Sequence, residues 1–408
     1  MVAAAAREPR HPRGAAGKPP SVLRRAAASR THVSMKGRTM TSSRSRSRTP
    51  SPGASAGTGG PPPSARRIAV VGAGMAGIAC ARTLAQAGHA PVVFEQARRP
   101  GGRMATVESA FGGFDAGAQY FTVRDARFAR ALETVPGLCR PWSASTVKVL
   151  DAAGRTAAAA PPPREPHWVA TPGMQSLLAA WAQPLEQAGR LLPDARVTRI
   201  GADPVQPGRW RLHTLSQDGG RQVHAGFDAV LLLIPAAQAS ALLQASDVAP
   251  GLAAGLHAVE AAPCWTLMVA YPHAVQPGLT TLGPQWNAAR STHHRIAWVA
   301  RESSKPGRAP VERWTAQASP AWSSEHRNDA PARVQAKLLK AFAEVTGLRA
   351  APVHAEVLYW PDAQTTRPLG RSHLWDAAAG IGLAGDWCLG HRVEDAFVAG
   401  LELALAVA

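Results

Sequence analysis

The sequence predicts an α/β fold built around a Rossmann-like domain, and three consecutive patterns support this prediction. An apolar run at residues 68–71 leads directly into Gly72-Ala-Gly74-Met-Ala-Gly77, which has the spacing GxGxxG. An Ala-rich helical pattern follows and ends at Gly88, and a second apolar run ends at Glu95. Strand, helix and strand in this order form a βαβ unit, so we predict a dinucleotide-binding site at its first turn.

The residue types in this unit have separate physical roles. Gly72 permits a tight turn, Gly74 lets backbone N–H groups approach a pyrophosphate, and Gly77 lets helix and strand pack closely. Glu95, about 20 residues on, is placed to accept hydrogen bonds from an adenosine ribose. The predicted dinucleotide contacts of this unit are Gly72, Gly74, Met75, Ala76, Gly77, Glu95 and Gln96.

A second glycine loop decides between NAD and FAD, which share this fingerprint. The sequence RRPGGRMAT, residues 98–106, places Gly102 and Arg103 to meet phosphate or the polar chain beyond it. NAD enzymes have no general need for such a loop, and the alternative is an ordinary turn with a solvated arginine. Segment 111–128 then packs small residues around Asp115 and Gln119, and small residues let a flat ring lie close to the backbone. We therefore predict FAD.

The first 65 residues differ in composition from the remaining chain. They contain twelve Lys and Arg against one acid, Glu8, so they carry about +11 of the formal net charge of +18. Without apolar periodicity, this tail should be disordered. Three roles stay open: a translated upstream region before a start at Met35 or Met40, an organelle transit peptide, or a nucleic-acid-binding arm suggested by SRSRSRT. Nucleic acid is expected as a partner only through this tail.

Composition excludes several classes of protein. With 46% hydrophobic residues the chain can bury a large core, while its longest apolar run, 228–243, is interrupted by Pro235 and too short to span a bilayer. No membrane partner is therefore expected. The four cysteines show no CxxC spacing, which predicts neither a metal site nor a disulfide framework and fits a reducing, cytoplasmic compartment, or an organelle if the tail is a transit peptide.

Six motifs carry a resemblance to a known family. They are GAGMAG, GGRM, DAGAQYFTVRDARF, WVATPGMQSL, VARESSKPGR and GDWCLGHRVEDAF, and the pattern covers residues 66–408. The chain resembles the two-dinucleotide-binding-domain flavoproteins related to amine oxidases, and among them it is most similar to the bacterial renalases. The resemblance implies a Rossmann-like FAD-binding domain with an inserted α+β substrate domain, in the topology of p-hydroxybenzoate hydroxylase and amine oxidase.

The implied domain organisation is discontinuous. It consists of a tail at 1–65, an FAD-binding domain at 66–110, 171–245 and 371–408, and a substrate domain at 111–170 and 246–370. Segment 191–214 reads as two alternating strands, and the family places the residues around Val197 near adenine. Segment 227–243 reads as a buried strand, a turn and a helix, which puts Pro235 close to the cofactor path.

The C-terminal stretch is predicted to form the second half of the cofactor site. After an apolar strand at 380–384, Gly385 allows a tight turn, and Asp386 matches the position that binds the ribityl hydroxyls in this family. Arg392 and Val393 stand at the start of the final helix, where free N–H groups and the positive end of the dipole can face the pyrimidine side of the flavin. The alternative is Asp386 as a plain helix cap. Cys388 reads as a buried small hydrophobe, so FAD is expected to be noncovalent.

No residue of the substrate domain is assigned a certain catalytic role. Lys305 has three alternatives: bridging a water near flavin N5, contacting a substrate phosphate, or a structural role. Tyr120 either leans on the flavin or substrate ring or belongs to the core, and Gln119 beside it is a predicted cofactor contact. Five tryptophans scattered through the insertion are candidates to line the pocket, while packing is the better explanation for each of them taken singly; they are Trp298, Trp314, Trp322, Trp360 and Trp375.

The resemblance implies an oxidase of aberrant dihydronicotinamide dinucleotides, the 2- and 6-dihydro isomers of NAD(P). Such a substrate needs only hydride transfer to flavin N5, with O2 as the second substrate and H2O2 and NAD(P)+ as products. The sequence has no HExxH and no GxSxG, and no motif pairs a nucleophile with a base. Three other hypotheses are an amine or other small-molecule oxidase, a desaturase of a hydrophobic substrate, and a non-enzymatic binding protein acting through the tail.

Overall fold

The computed structural model describes residues 65–143, 147–158, 165–272 and 286–408. All but the last residue of the predicted tail at 1–65 lies outside these ranges, so its disorder and its three candidate roles stay predictions. In chain order, the helices of the described residues are α1 Met75–Gln86, α2 Ala126–Glu133, α3 Gln175–Gln187, α4 Ala236–Ser246, α5 Pro250–Gly255, α6 Pro320–Glu325, α7 Pro331–Thr346 and α8 Val393–Val407.

The strands of the described residues fall into two large sheets and three small ones. In chain order they are β1 Arg67–Val71, β2 Ala90–Phe94, β3 Thr106–Val107, β4 Phe114–Asp115, β5 Cys139–Trp142, β6 Val147–Leu150, β7 Thr156–Ala158, β8 His167–Ala170, β9 Leu191–Leu192, β10 Arg196–Ala202, β11 Trp210–Leu215, β12 Arg221–Phe227, β13 Ala229–Leu232, β14 Glu260–Tyr271, β15 Ala288–Ser291, β16 Ile296–Arg301, β17 Glu312–Ala318, β18 His354–Arg367, β19 Leu374–Asp376 and β20 Ile381–Leu383.

The first large sheet contains the βαβ unit. Its order is β19-β20-β13-β1-β2-β9, and its strands are parallel except for β19. Strand β1 is buried from Ile68 to Val71, as expected for a central parallel strand covered on both faces. Helix α8 returns from the end of the chain to pack against α1, where a Cβ at Gly400 would lie 2.2 Å from the carbonyl oxygen of Ala76. First and last helices therefore meet backbone to backbone.

The second large sheet has the order β18-β14-β17-β16-β15-β6-β7 and is antiparallel except for the β15–β6 pair. One face of this sheet packs on α7, and together they form a separate core cluster that includes Trp314 and Phe342. A three-stranded sheet, β10-β11-β12, and two pairs, β3-β4 and β5-β8, complete the topology.

The predicted fold class is confirmed, and so are the local elements that supported it. The predicted βαβ unit corresponds to β1, α1 and β2, the alternating pair in 191–214 to β10 and β11, and the buried strand and helix in 227–243 to β13 and α4. The exact domain boundaries stay a prediction. Within the described residues, no helix combines the length and apolar character that crossing a bilayer requires.

Candidate cofactor and substrate site

The GxGxxG turn joins β1 to α1. Gly72 has φ +102°, a left-handed conformation that favours glycine. A Cβ at Gly77 would lie 1.8 Å from the carbonyl oxygen of Gly72, so this glycine is required for packing. Gly74 is not required for packing in this way. Among the described residues, a Cβ at Gly74 would have one heavy atom within 4 Å, the Cα of Gly102 at 4.0 Å. The N-terminus of α1 is therefore accessible at Gly74, where a pyrophosphate can meet backbone N–H groups.

Glu95 closes the opposite end of this turn. It is buried and follows β2 directly; one carboxylate oxygen accepts from the N–H of Ala73 at 2.7 Å and the other from Ala97 at 2.8 Å. Burial raises its pKa, while these backbone hydrogen bonds act in the opposite direction. The N–H of Ala195 donates to the carbonyl oxygen of Glu95 at 2.8 Å. The segment that carries Val197 thus returns to the end of β2, beside the predicted ribose contact.

The second glycine loop lies directly on the first. The N–H of Gly101 donates to the carbonyl oxygen of Ala73 at 3.0 Å. Gly102 has φ +52°, and a Cβ there would come within 3.1 Å of the Cα of Gly74. The two loops therefore approach each other with bare backbone on both sides.

Arg103 connects this loop to the C-terminal stretch. Both of its terminal guanidinium nitrogens bind the carboxylate of Asp386, with Nη1–Oδ2 at 3.0 Å. Oδ2 also accepts from the hydroxyl of Thr365 at 3.2 Å, and Nη1 donates to the carbonyl oxygen of Asp362 at 3.1 Å. The Oδ1 atom of Asp386 accepts one of these bonds and can accept another, as a ribityl hydroxyl would require.

The tight turn expected at Gly385 is present, because the N–H of Cys388 donates to the carbonyl oxygen of Gly385 at 3.1 Å. The backbone of Gly385 is extended, with φ 177°, so the turn itself does not require glycine at this position. A Cβ would instead lie 2.3 Å from Nε1 of Trp387, and that Nε1 donates to the carbonyl oxygen of Ile234 at 3.0 Å. Pro235, which caps α4, lines a cavity of about 300 Å³ together with Arg103 and Trp387. Pro235 and the second loop thus share one cavity.

The remaining residues predicted to contact the cofactor lie in different environments. Met75 and Ala76 are buried in α1, whereas Gln96 is exposed. Helix α8 begins at Val393, and the N–H of Arg392 donates to Oδ2 of Asp395 at 2.9 Å. The approach of this helix start to the flavin ring stays a prediction.

Side chains from the second large sheet hold the segment around Gln119. Nε2 of Gln119 donates to the carbonyl oxygen of Gly117 at 3.1 Å, and so does Nε2 of Gln317 at 2.7 Å. Nε1 of Trp360 donates to the carbonyl oxygen of Ala116 at 3.0 Å. Gln317 was missed at the sequence level, because its role depends on the pairing of β17 within the second sheet.

A buried ionic cluster, defined as Asp115, Glu302, Lys305 and Arg308, lies next to this segment. Nζ of Lys305 is 2.9 Å from Oδ2 of Asp115 and 2.9 Å from Oε1 of Glu302, and Nη2 of Arg308 is 2.6 Å from the same Oδ2. The other oxygen of Asp115 accepts from the N–H of Met174 at 2.9 Å. Asp115 therefore ties the start of α3 to two cations of the insertion.

The cluster explains the ionisation of its carboxyl groups and the position of Lys305. Burial opposes ionisation of Asp115, but Lys305 and Arg308 outweigh it and hold its pKa below the usual range. Burial raises the pKa of Glu302. Nζ of Lys305 also donates to Oε1 of Gln119 at 3.2 Å, so three acceptors match its three N–H groups. These contacts support the structural alternative for Lys305, and its other two roles stay predictions.

Tyr120 belongs to an aromatic group rather than standing alone. Its ring stacks on His167 with centroids 3.9 Å apart, and the Trp298 centroid lies 5.7 Å away. The other candidate tryptophans divide by location. Trp314 and Trp322 pack in the core cluster beneath the second sheet, whereas Trp375 lies in β19 of the first sheet rather than in the insertion. Trp314 and Trp322 thus follow the packing alternative, and the placement of Trp375 in the insertion is wrong.

Comparisons with known proteins agree with this architecture. Residues 70–133 match the family described as NAD(P)-binding Rossmann-like domain. The hydroxyneurosporene desaturase of Cereibacter sphaeroides is 46% identical over 59 residues, which span 14% of this chain and 12% of the desaturase. The likeness to that relative is thus confined to a small part of both chains.

Solved structures match over most of the chain. A provisionally assigned protoporphyrinogen oxidase of Exiguobacterium sp. 255-15 has a TM-score of 0.64 at 15% identity and covers 84% of this chain and 99% of its own. Cyclohexylamine oxidase from Brevibacterium oxydans has a TM-score of 0.62 at 13% identity, with coverages of 84% and 98%. A triple mutant of putrescine oxidase has a TM-score of 0.59 at 12% identity, with the same coverages. This chain therefore has the fold of these oxidases.

Proposed function

We propose that this chain is an FAD-dependent oxidoreductase with an amine-oxidase-like fold. The observation that carries the proposal is the meeting of two glycine loops at Gly74 and Gly102, where bare backbone and the start of α1 form a cradle that a side chain would fill. Glu95 at one end and Asp386 at the other supply the acceptors that ribose and ribityl hydroxyls need. FAD fits this set, because it carries hydroxyl groups on both sides of its pyrophosphate.

Replacing Gly74 by Val tests the cofactor. Gly74 has φ −76°, so a branched side chain adds no left-handed strain, and its Cβ would have a single described atom within 4.0 Å. We expect the variant to fold with a loss of roughly 1 kcal/mol at this helix cap and to retain less than about a tenth of the wild-type FAD, because a charged hydrogen-bonding site is lost. The measurement is FAD per polypeptide after purification, with circular dichroism as the check of folding.

Gly251→Ala provides the matched control, since no described atom lies within 4 Å of its Cβ and it lies in the short helix α5, away from the glycine loops. It should keep its flavin. A folded Gly74→Val protein with full FAD content would reject the cradle as the pyrophosphate site.

We further propose that FAD is bound without a covalent link. Cys388 is fully buried, and burial raises the pKa of its thiol to about 12, so the reactive thiolate is disfavoured. Wild type and Cys388→Ala should have equal FAD content, and acid precipitation should release all flavin into the supernatant. Yellow wild-type precipitate that Cys388→Ala lacks would contradict this proposal.

For the substrate we propose the 2- and 6-dihydro isomers of NAD(P), as the renalase-like motifs suggest. When bound, FAD would supply a two-electron acceptor, through which dihydro-NAD(P), O2 and one proton from solvent would give NAD(P)+ and H2O2. The task left to the protein is orientation, since forming an aromatic pyridinium requires no proton abstraction. The full engagement of Lys305 by Asp115, Gln119 and Glu302 is consistent with a site that lacks a free base.

Anaerobic stopped-flow mixing, with detection of the flavin band near 450 nm (a general property of flavins), separates the candidate substrates. The renalase-like proposal expects rapid bleaching by 2- and 6-dihydro-NAD(P) and none by ordinary NADH. The amine alternative, favoured by the likeness to cyclohexylamine and putrescine oxidases, expects bleaching by an amine instead. Loss of function on truncation to Ala65 would support the binding-protein alternative, whereas an enzyme should keep its activity.

A further inference from the structure

The face of the second sheet that covers Tyr120 also carries Arg290 and Trp298. Trp298 pairs with Gln317 across β16 and β17, and Gln317 donates to Gly117, three residues before Tyr120. Arg290 pairs with Trp298 across β15 and β16. Directly paired residues of antiparallel strands share a face, so Arg290, Trp298 and Gln317 form one row across the sheet.

Two buried nitrogen atoms near Tyr120 have no hydrogen-bond partner among the described residues. They are Nε1 of Trp298 and Nδ1 of His167, and each residue is 8% exposed. The ring of His167 stacks on the ring of Tyr120, and the ring of Trp298 also contacts Tyr120. A buried polar group without a hydrogen-bond partner costs about 1–3 kcal/mol of stability. Two such nitrogen atoms beside the same tyrosine therefore indicate a ligand that would supply their missing hydrogen bonds.

The group formed by Arg290, Trp298 and His167 carries a positive charge. The Arg290 guanidinium lies 5.8 Å from the Trp298 ring centroid, and within the described part of the chain no carboxylate forms an ion pair with it. Burial lowers the pKa of His167, and Arg290 lowers it further while Glu165 opposes them, so the imidazole is neutral at pH 7. Glu165 itself is bound to Arg124 at 2.6 Å. The cluster thus offers one cation and two unused ring nitrogens.

We propose that Arg290, Trp298 and His167 form a subsite for an oxyanion of the substrate, a phosphate or a carboxylate, beside the stacked ring of Tyr120. Arg290 supplies a positive charge and can donate two parallel hydrogen bonds to the anion. Nε1 of Trp298 donates a third, and Nδ1 of His167 donates a fourth in the neutral tautomer that carries its proton on Nδ1. This inference rests on the proposed function and narrows its substrate class. A cationic amine is repelled at this position, whereas a dinucleotide brings the required anion.

The test is calorimetric titration of the purified holoenzyme with two matched pairs of probes. Nicotinamide mononucleotide against nicotinamide riboside differs by a phosphate, and nicotinic acid against nicotinamide differs by a carboxylate. We expect the wild type to bind the anionic member of one pair roughly 10- to 100-fold more tightly, as charged hydrogen bonds of this kind allow. The pair that shows the preference identifies the anion.

Arg290→Met should abolish the preference, and Arg290→Lys should restore part of it. Trp298→Phe keeps a ring but removes the donor, so it should reduce the preference severalfold. Arg155→Met, which removes an exposed arginine elsewhere, should leave it unchanged. Equal binding within both pairs by the wild type, or a preference that survives Arg290→Met, would overturn the subsite. Because the titration requires no turnover, failure of flavin reduction remains a separate result.

Discussion

Replacing Asp115 by Asn should lower the free energy of unfolding by about 3–5 kcal/mol, because the change leaves buried charges without their partner. Lys305 and Arg308 both bind the Oδ2 atom of Asp115, and all three side chains are at most 1% exposed. In the variant, Lys305 keeps Glu302 as a carboxylate partner, whereas Arg308 loses the carboxylate that it binds within the cluster. Equilibrium unfolding in urea, monitored by circular dichroism, measures the difference.

The pH dependence provides an independent check on this assignment. The pKa of Asp115 is lower in the folded protein than in the unfolded chain. The ionised carboxylate therefore contributes to the free energy of unfolding above the unfolded pKa, and this contribution is lost as the pH falls through the folded pKa. The gap in stability between wild type and Asp115→Asn should therefore narrow in acid. The control is Arg155→Gln, which removes an 81% exposed partner of Asp151 and should cost less than about 1 kcal/mol. Equal losses in the two variants would show that the ionic cluster contributes little.

The parts of the site that the sequence predicts are those determined by local backbone geometry. Gly72 and Gly77 act within a single turn, so their spacing alone predicts the left-handed conformation and the close contact that the structure contains. The resemblance assigned Arg103 and Asp386 to one cofactor site, but the direct contact between these residues, which are 283 positions apart, was not predicted. Spacing carries no information about a contact at that separation.

The features missed at the sequence level depend on tertiary packing. Lys305 and Asp115 are 190 residues apart, and their pairing requires β4 and the end of β16 to be brought together by the second sheet. The sequence therefore leaves three alternatives for Lys305, and its neighbours in the structure favour the structural one. Gly400 resembles a weak position in a helix, since glycine disfavours helical structure. Glycine is required at position 400 because a Cβ there would lie 2.2 Å from the carbonyl oxygen of Ala76.

Replacing Gly77 by Ala should lower the free energy of unfolding by about 3 kcal/mol, the upper end of the usual range for forcing a side-chain atom into a packed core. The added Cβ would lie 1.8 Å from the carbonyl oxygen of Gly72 and 2.9 Å from its carbonyl carbon, and neither backbone atom can rotate away. Movement of α1 is opposed from the other side, where Gly400 of α8 abuts the backbone of Ala76. The turn must therefore distort, and we expect both thermal stability and FAD content to fall.

Gly77→Ala and Gly74→Val together separate packing from cofactor binding within one turn. Gly74→Val should lose FAD yet unfold close to the flavin-free wild type, whereas Gly77→Ala should remain less stable than that same reference. The control Gly251→Ala meets no described atom and should change stability by no more than about 1 kcal/mol, the range of helix propensity. If Gly77→Ala matched the flavin-free wild type, the close contact with Gly72 would have relaxed, and the third glycine would serve the cofactor rather than the fold.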